Sequence, residues 1–115
     1  MTVTIYHNPR CSKSRKALEI LHEKGLDVEV IEYLKTPPDK QTLERLLTGL
    51  GLEPRQLMRT GESVYKELGL DNPVLSRDDL IDYMINNPIL IERPVVVEGS
   101  RVVIGRPPEN VLEIL

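Results

Sequence analysis

The stretch TIYHNPRCSKSRKALEIL, residues 4–21, decides the reading of this chain. Val3 to Tyr6 reads as a short buried strand, and Ser14 to Leu21 as the first turns of an amphipathic helix. Cys11, the only cysteine of the chain, falls in the loop between them. Backbone N–H groups at the start of a helix have no partners within it, and together with the helix dipole they favour a thiolate over a thiol. Arg10, Lys13, Arg15 and Lys16 add positive charge around the same sulfur. A lone cysteine is otherwise a small buried hydrophobe. A core cysteine, however, is rarely flanked by Pro, Arg, Ser and Lys.

Outward from this stretch, Gly25 supplies a helix stop and Asp27 to Tyr33 alternates apolar and acidic residues as a strand does. Strand, helix and strand in that order imply a right-handed β-α-β unit with parallel strands. Pro37 and Pro38 then break the chain. Asp39 is placed to cap a helix to about Leu47, with Leu43, Leu46, Leu47 and Leu50 on one face and Gly49, Gly51 and Pro54 ending it. The segment from Pro54 to Pro88 reads as helical and irregular. Within it, Ser76 and Asp79 resemble a capping box that opens a helix carrying Leu80, Ile81, Met84 and Ile85. Pro94–Val97 and Val102–Ile104 flank Glu98-Gly99-Ser100-Arg101, a hairpin with a short turn. Pro107 and Pro108 open a final helix. The expected fold class is α/β with a small mixed sheet, β-α-β then β-β-α, and a helical insertion between the two halves.

The bulk properties narrow the function classes. A chain of 115 residues suits one domain over 1–115 with one core. With no Phe and no Trp, that core is built from Leu, Ile and Val with four Tyr. A net charge of −3, with no basic stripe interleaved with aromatics, argues against nucleic acid as a partner. No apolar run is long enough to span a bilayer, so no membrane association is expected. One Cys and two His, His7 and His22, are too few and too badly spaced for a metal site. The lone cysteine rules out an internal disulfide, and the first residues do not read as a signal peptide. The expected location is cytoplasmic.

Cys11-Ser12-Lys13-Ser14 has the spacing of a Cys-x-x-Cys redox motif with Ser14 in place of the second thiol. Ser14 cannot resolve a mixed disulfide. It can donate a hydrogen bond to the Cys11 thiolate or to a bound oxyanion. Equally, Ser12 or Ser14 can simply cap the helix.

Three segments carry a resemblance: YHNPRCSKSR (6–15), ILIERPVVV (89–97) and IGRPPENVLEIL (104–115). In this order and separation they resemble the glutaredoxin-coupled arsenate reductases, the ArsC-like branch of the thioredoxin-fold superfamily. The resemblance extends over essentially the whole chain. It implies a thioredoxin-like fold with a cis peptide before Pro94. It also implies a Cys11 thiolate that attacks arsenate while Arg59, Arg93 and Arg106 hold the oxyanion. The histidine such enzymes keep near the thiol falls on His7, which either lowers the Cys11 pKa when protonated or satisfies a loop carbonyl. No bound cofactor is implied. Glutathione enters as co-substrate, and glutaredoxin reduces the mixed disulfide that follows.

Each arginine taken singly has a plainer reading. Arg59 sits in an irregular segment, where a surface arginine is ordinary. Arg93 can snorkel beside the sheet, and Arg106 can form a surface salt bridge. Two other functions share the fold. One is an Spx-like, redox-associated regulator that binds RNA polymerase, although many of those sense oxidation through a Cys-x-x-Cys that Ser14 removes. The other is a monothiol oxidoreductase of glutathione-linked substrates, which would keep Cys11 and use the arginines for a peptide carboxylate.

Overall fold

A computed structural model describes residues 2–115. The chain forms two compact units, one from the residues up to Thr36 together with Arg93–Leu115, the other from Pro37–Glu92. The first unit holds β1 (Thr2–His7), α1 (Ser12–Glu23), β2 (Asp27–Glu32), β3 (Val95–Glu98), β4 (Arg101–Ile104) and a closing 3₁₀ helix, Pro108–Ile114. Its four strands form one sheet in the order β2-β1-β3-β4. β1 runs parallel to β2 and antiparallel to β3, and β3 runs antiparallel to β4. This is the thioredoxin-like β-α-β then β-β-α order, with one correction. The last element is a 3₁₀ helix, closed by i→i+3 bonds such as Asn110 N–H to the Pro107 carbonyl at 3.0 Å. A short element opened by two prolines, which lack N–H donors, settles into tight turns of this kind.

The strand pattern explains the core. Ile5 lies opposite Val96, and Val96 opposite Val103, a row of side chains on one face of the sheet. Ala17, Ile20 and Leu21 of α1 join that cluster, as do Val111 and Ile114 of the 3₁₀ helix. Burying each Val, Leu or Ile side chain fully contributes about 1.5–3 kcal/mol, so this row and its cover hold β1 and α1, and the loop between them, in place. At the hairpin, Glu98 pairs with Arg101, leaving a two-residue turn in which Gly99 has φ +60°. A positive φ is what such a turn demands and what glycine supplies without steric cost.

The second unit is helical: α2 (Lys40–Leu50), α3 (Pro54–Leu57), α4 (Ser63–Glu67), α5 (Arg77–Asn86) and a 3₁₀ turn, Pro88–Leu90. Asp39 caps α2 by accepting the Thr42 N–H at 2.8 Å. The helix passes through Gly49 and stops at Gly51, which adopts the left-handed conformation. Pro54 does not merely follow α2; it occupies the start of α3, where its missing N–H costs nothing. The Ser76–Asp79 capping box is present with both reciprocal hydrogen bonds. Leu43, Leu46 and Leu47 of α2 and Leu80, Ile81 and Met84 of α5 are buried. Among the described residues, no helix is long and apolar enough to cross a membrane.

Gly105 is the tightest point of the first unit. A Cβ placed there would lie 2.8 Å from Pro94 Cγ, 3.3 Å from Val111 and 3.4 Å from Ala17. The Gly105 N–H donates to the Pro94 carbonyl at 2.9 Å. Only a residue without a side chain lets the end of β4 lie against Pro94 in this way. Gly105→Ala should therefore cost about 1–3 kcal/mol through overpacking. It should appear as a lower denaturant midpoint with an unchanged slope. A midpoint equal to wild type would show that Pro94 yields freely.

Candidate active site

Asn8-Pro9-Arg10-Cys11 is a tight turn. The Cys11 N–H donates to the Asn8 carbonyl at 3.0 Å, and the Arg10 N–H donates to the Asn8 side-chain oxygen at 3.0 Å. Asn at the first position and Pro at the second are the residues such a turn favours. The turn delivers Cys11 to the N-cap of α1, in extended conformation (φ −92°, ψ 121°), and its carbonyl accepts the Arg15 N–H at 3.0 Å. The helix begins at Ser12, earlier than its periodicity suggests, because this turn ends immediately before it. No serine or acid caps α1 with an oxygen. Cys11 itself is the N-cap residue, and its side chain makes no capping hydrogen bond.

Burial is the largest influence on the thiol and pushes its pKa up. The backbone N–H of Ser14, the Arg93 guanidinium and the backbone N–H of Lys13 together outweigh it, so the Cys11 pKa lies below its ordinary value. Arg106 approaches the same sulfur, with Nη1 3.8 Å from Sγ, and the same Nη1 donates to the Arg93 carbonyl at 3.3 Å. The Asn110 side chain holds the Arg106 carbonyl at 3.2 Å. Both Arg93-Pro94 and Arg106-Pro107 are cis peptides; the first matches expectation, and the second was not foreseen. Cys11, Arg93 and Arg106 therefore meet in one place although 82 residues separate the first two.

Ser14 and His7 take a different arrangement from the one expected. The Ser14 side chain is fully buried; its oxygen accepts the Asn8 N–H at 3.1 Å and lies 2.6 Å from His7 Nδ1. The hydroxyl oxygen has two acceptor sites and one proton, so the direction of its bond with Nδ1 is set by the imidazole tautomer. What Ser14 offers the thiol is its backbone N–H, not its hydroxyl. His7 is 6% exposed, and burial holds its pKa below 6.5, with Glu32 opposing and Arg15 reinforcing the shift. Its ring engages a hydroxyl rather than a loop carbonyl, and it braces the Cys11 loop in neutral form.

Arg59 lies in the second unit. Its Nη1 is 2.9 Å from Glu92 and its Nε 3.2 Å from Glu62, and its N–H donates to the Leu90 carbonyl at 2.7 Å. The sequence reading missed these two carboxylates, and also Asn8, Gly105 and Asn110. The Asn-Pro pair was a signal for the turn, but nothing in the sequence signalled the other residues. Among the described residues, no three His, Cys, Asp or Glu side chains gather as a metal site would need.

The sequence model of the ArsC family matches residues 6–114. The chain belongs to the ArsC family. It is 47% identical over 114 residues to a Neisseria meningitidis protein named arsenate reductase, covering 98% of this chain and 97% of that one. An Escherichia coli protein, YfgD, described as uncharacterized, is 54% identical over 98% of this chain and 96% of its own length. A solved structure of an arsenate reductase from Vibrio cholerae superposes with a TM-score of 0.97 at 52% identity, covering 100% of this chain and 98% of that one.

Two measurements test this geometry. Alkylation of Cys11 should rise with pH through a midpoint below the ordinary thiol value of about 8.5, and Arg93→Met should move that midpoint up. A wild-type midpoint at or above the ordinary value would contradict the arrangement. For His7, a depressed folded pKa means that the unfolded chain binds the proton first as pH falls. Stability is full above about pH 6.5 and declines as pH drops through that value toward the folded pKa. His7→Gln should flatten this acid-side loss in denaturant midpoints measured between about pH 7.5 and 5.5; an identical slope would exclude His7 as its source.

Proposed function

We propose that this chain is an arsenate reductase in which the Cys11 thiolate attacks arsenate. The convergence of Arg93, Arg106 and two backbone N–H groups on one thiol is the observation that supports this most directly. Arsenate is a tetrahedral oxyanion, and a thiolate cannot approach it without cations to offset the repulsion. Guanidinium suits the task because its planar fork donates paired hydrogen bonds, each contributing about 1.5–3 kcal/mol when charged. The start of α1 adds N–H donors of the kind that bind oxyanions. The relatives named arsenate reductase support the same substrate.

The sulfur displaces hydroxide or water from arsenic, giving a covalent thiol–arsenate adduct. Reduction needs two electrons and a second thiol. Ser14 cannot supply one and no other cysteine exists in the chain. Glutathione thiolate therefore attacks the Cys11 sulfur, the S–As electron pair passes to arsenic, and arsenite leaves with a Cys11–glutathione disulfide behind. Glutaredoxin, acting on glutathione-linked disulfides, restores the thiol. A reducing cytoplasm supplies both. Arg59 is assigned to the same oxyanion as a third arginine.

Coupled reduction assays test the reading. Wild type with glutathione and glutaredoxin should cycle, wild type without an external thiol should stall, and Cys11→Ser should be inactive. Full activity in Cys11→Ser, or many turnovers without added thiol, would overturn it. Arg93→Lys, Arg106→Lys and Arg59→Lys should each lower kcat/KM for arsenate by about 10-fold or more, because charge is kept and the fork is lost.

A further inference from the structure

Arg59 is built into the second unit more firmly than a surface ion pair. Its N–H donates to the Leu90 carbonyl at 2.7 Å, and the Glu92 N–H donates to the Leu57 carbonyl at 2.8 Å. These bonds flank an antiparallel bridge between Met58 and Ile91. Arg59 and Glu92 are thus diagonal neighbours across the bridge, within reach for long side chains. Leu57, Met58, Leu90 and Ile91 are buried and hold both segments in place. A turn closed by the Glu62 N–H on the Arg59 carbonyl, at 3.1 Å, brings Glu62 back to the same guanidinium. The Arg59 side chain is 24% exposed, and those of Glu62 and Glu92 are 28% and 25% exposed. In the surface pairs Lys16–Glu19, Lys35–Glu32 and Lys40–Asp78 the side chains are 42% to 80% exposed.

Glu62 accepts from Nε of Arg59 and Glu92 from Nη1. A guanidinium carries more N–H donors than these two bonds use, so donors remain for a ligand. That ligand meets one positive group flanked by two negative ones. A bare anion is opposed by the carboxylates. An anion that still carries a proton can donate it to a carboxylate oxygen, and a charged hydrogen bond then replaces the repulsion. Each carboxylate has lone pairs beyond the one given to Arg59. Near neutral pH arsenate and phosphate keep an O–H, whereas sulfate keeps none. We propose that Glu62 and Glu92 are specificity-determining residues that admit protonated tetrahedral oxyanions and turn away sulfate. The proposal rests on the reductase reading for the assignment of Arg59 to the oxyanion at Cys11. The chain itself supplies a link: Glu92 is bonded to Arg93, whose guanidinium hydrogen-bonds the Cys11 sulfur.

The test measures how inorganic phosphate and sulfate protect Cys11 of the whole chain from iodoacetamide, an uncharged reagent, at constant ionic strength. At about pH 8 phosphate is chiefly a dianion that keeps one proton. It then matches sulfate in charge and shape and differs by that proton. Half-protection of wild type should need at least about 10-fold less phosphate than sulfate, because a site that hydrogen-bonds a hydroxyl rejects the analogue lacking it. Glu62→Gln/Glu92→Gln keeps the side-chain shape, removes both charges and adds amide donors that suit bare oxygens. In this variant sulfate should protect at a concentration at least about 3-fold lower than in wild type. The preference for phosphate should fall toward one.

Phosphate no better than sulfate on wild type would overturn the proposal, and that result needs no variant to fold. Equal weakening of both anions in the double variant would overturn it as well, because carboxylates that only orient Arg59 serve the two anions alike. Arsenate is run in parallel. If arsenate gives wild type no protection, the reductase reading fails and the proposal fails with it. If arsenate protects while phosphate and sulfate are not distinguished, only the proposal fails and the reductase reading stands.

Discussion

A negatively charged sulfur at the first position of α1 is the constraint on which the site depends. Partial burial works against it, because burial disfavours charge. Backbone N–H groups of Lys13 and Ser14 and the Arg93 guanidinium restore the balance. Cys11 is the N-cap residue of α1, so its thiolate lies at the end of the helix where backbone donors have no partners within it. Everything that places these groups, from the Asn8 turn to the core row Ile5–Val96–Val103, serves this one charge.

The cis Pro94 and the end of β4 bring two distant arginines to it. Gly105 lets β4 lie directly on Pro94, and Arg106 follows immediately in sequence. Arg106 then touches both the sulfur and the Arg93 carbonyl. Behind the loop, Ser14 joins Asn8 and His7 in a buried hydrogen-bonded group. Buried polar groups are costly unless satisfied, and satisfied groups hold one geometry. This is a physical reason for serine at the position where a redox motif would carry its second thiol.

Arg59 obeys a different economy. Its charge is shared with Glu62 and Glu92, and Glu92 is the residue before Arg93 in the chain. An arginine between two carboxylates is oriented by them and partly neutralised. Arg10, Lys13 and Arg15, near Cys11 in the chain, have no carboxylate partner among the described residues. The two groups therefore differ in kind: one is held by its own unit, and the other is left open to solvent.

Local order was legible in the sequence because the signals are local. A short run read as buried marked β1, period-two alternation marked β2, the Asp39 and Ser76 caps marked α2 and α5, and the Gly99 turn marked the hairpin. Cys11 was legible for the same reason: a thiol between a strand and a helix, amid cations, can be read from its neighbours. The parallel pairing of β1 with β2 and the antiparallel β3–β4 hairpin followed from element order, whereas the antiparallel pairing of β1 with β3 came from the structure. What sequence alone left open were interactions between residues far apart in the chain. Whether Arg93 and Arg106 were surface groups or thiol partners was decided by β3 and β4 pairing beside β1. That the Ser14 hydroxyl turns to His7 and Asn8 rather than to the sulfur was decided by the path of α1 against the end of β1. Glycine at 105 and the 3₁₀ form of the last helix likewise came from packing. Local propensity depends on neighbours in the chain, whereas contact between distant side chains exists only once the sheet has assembled.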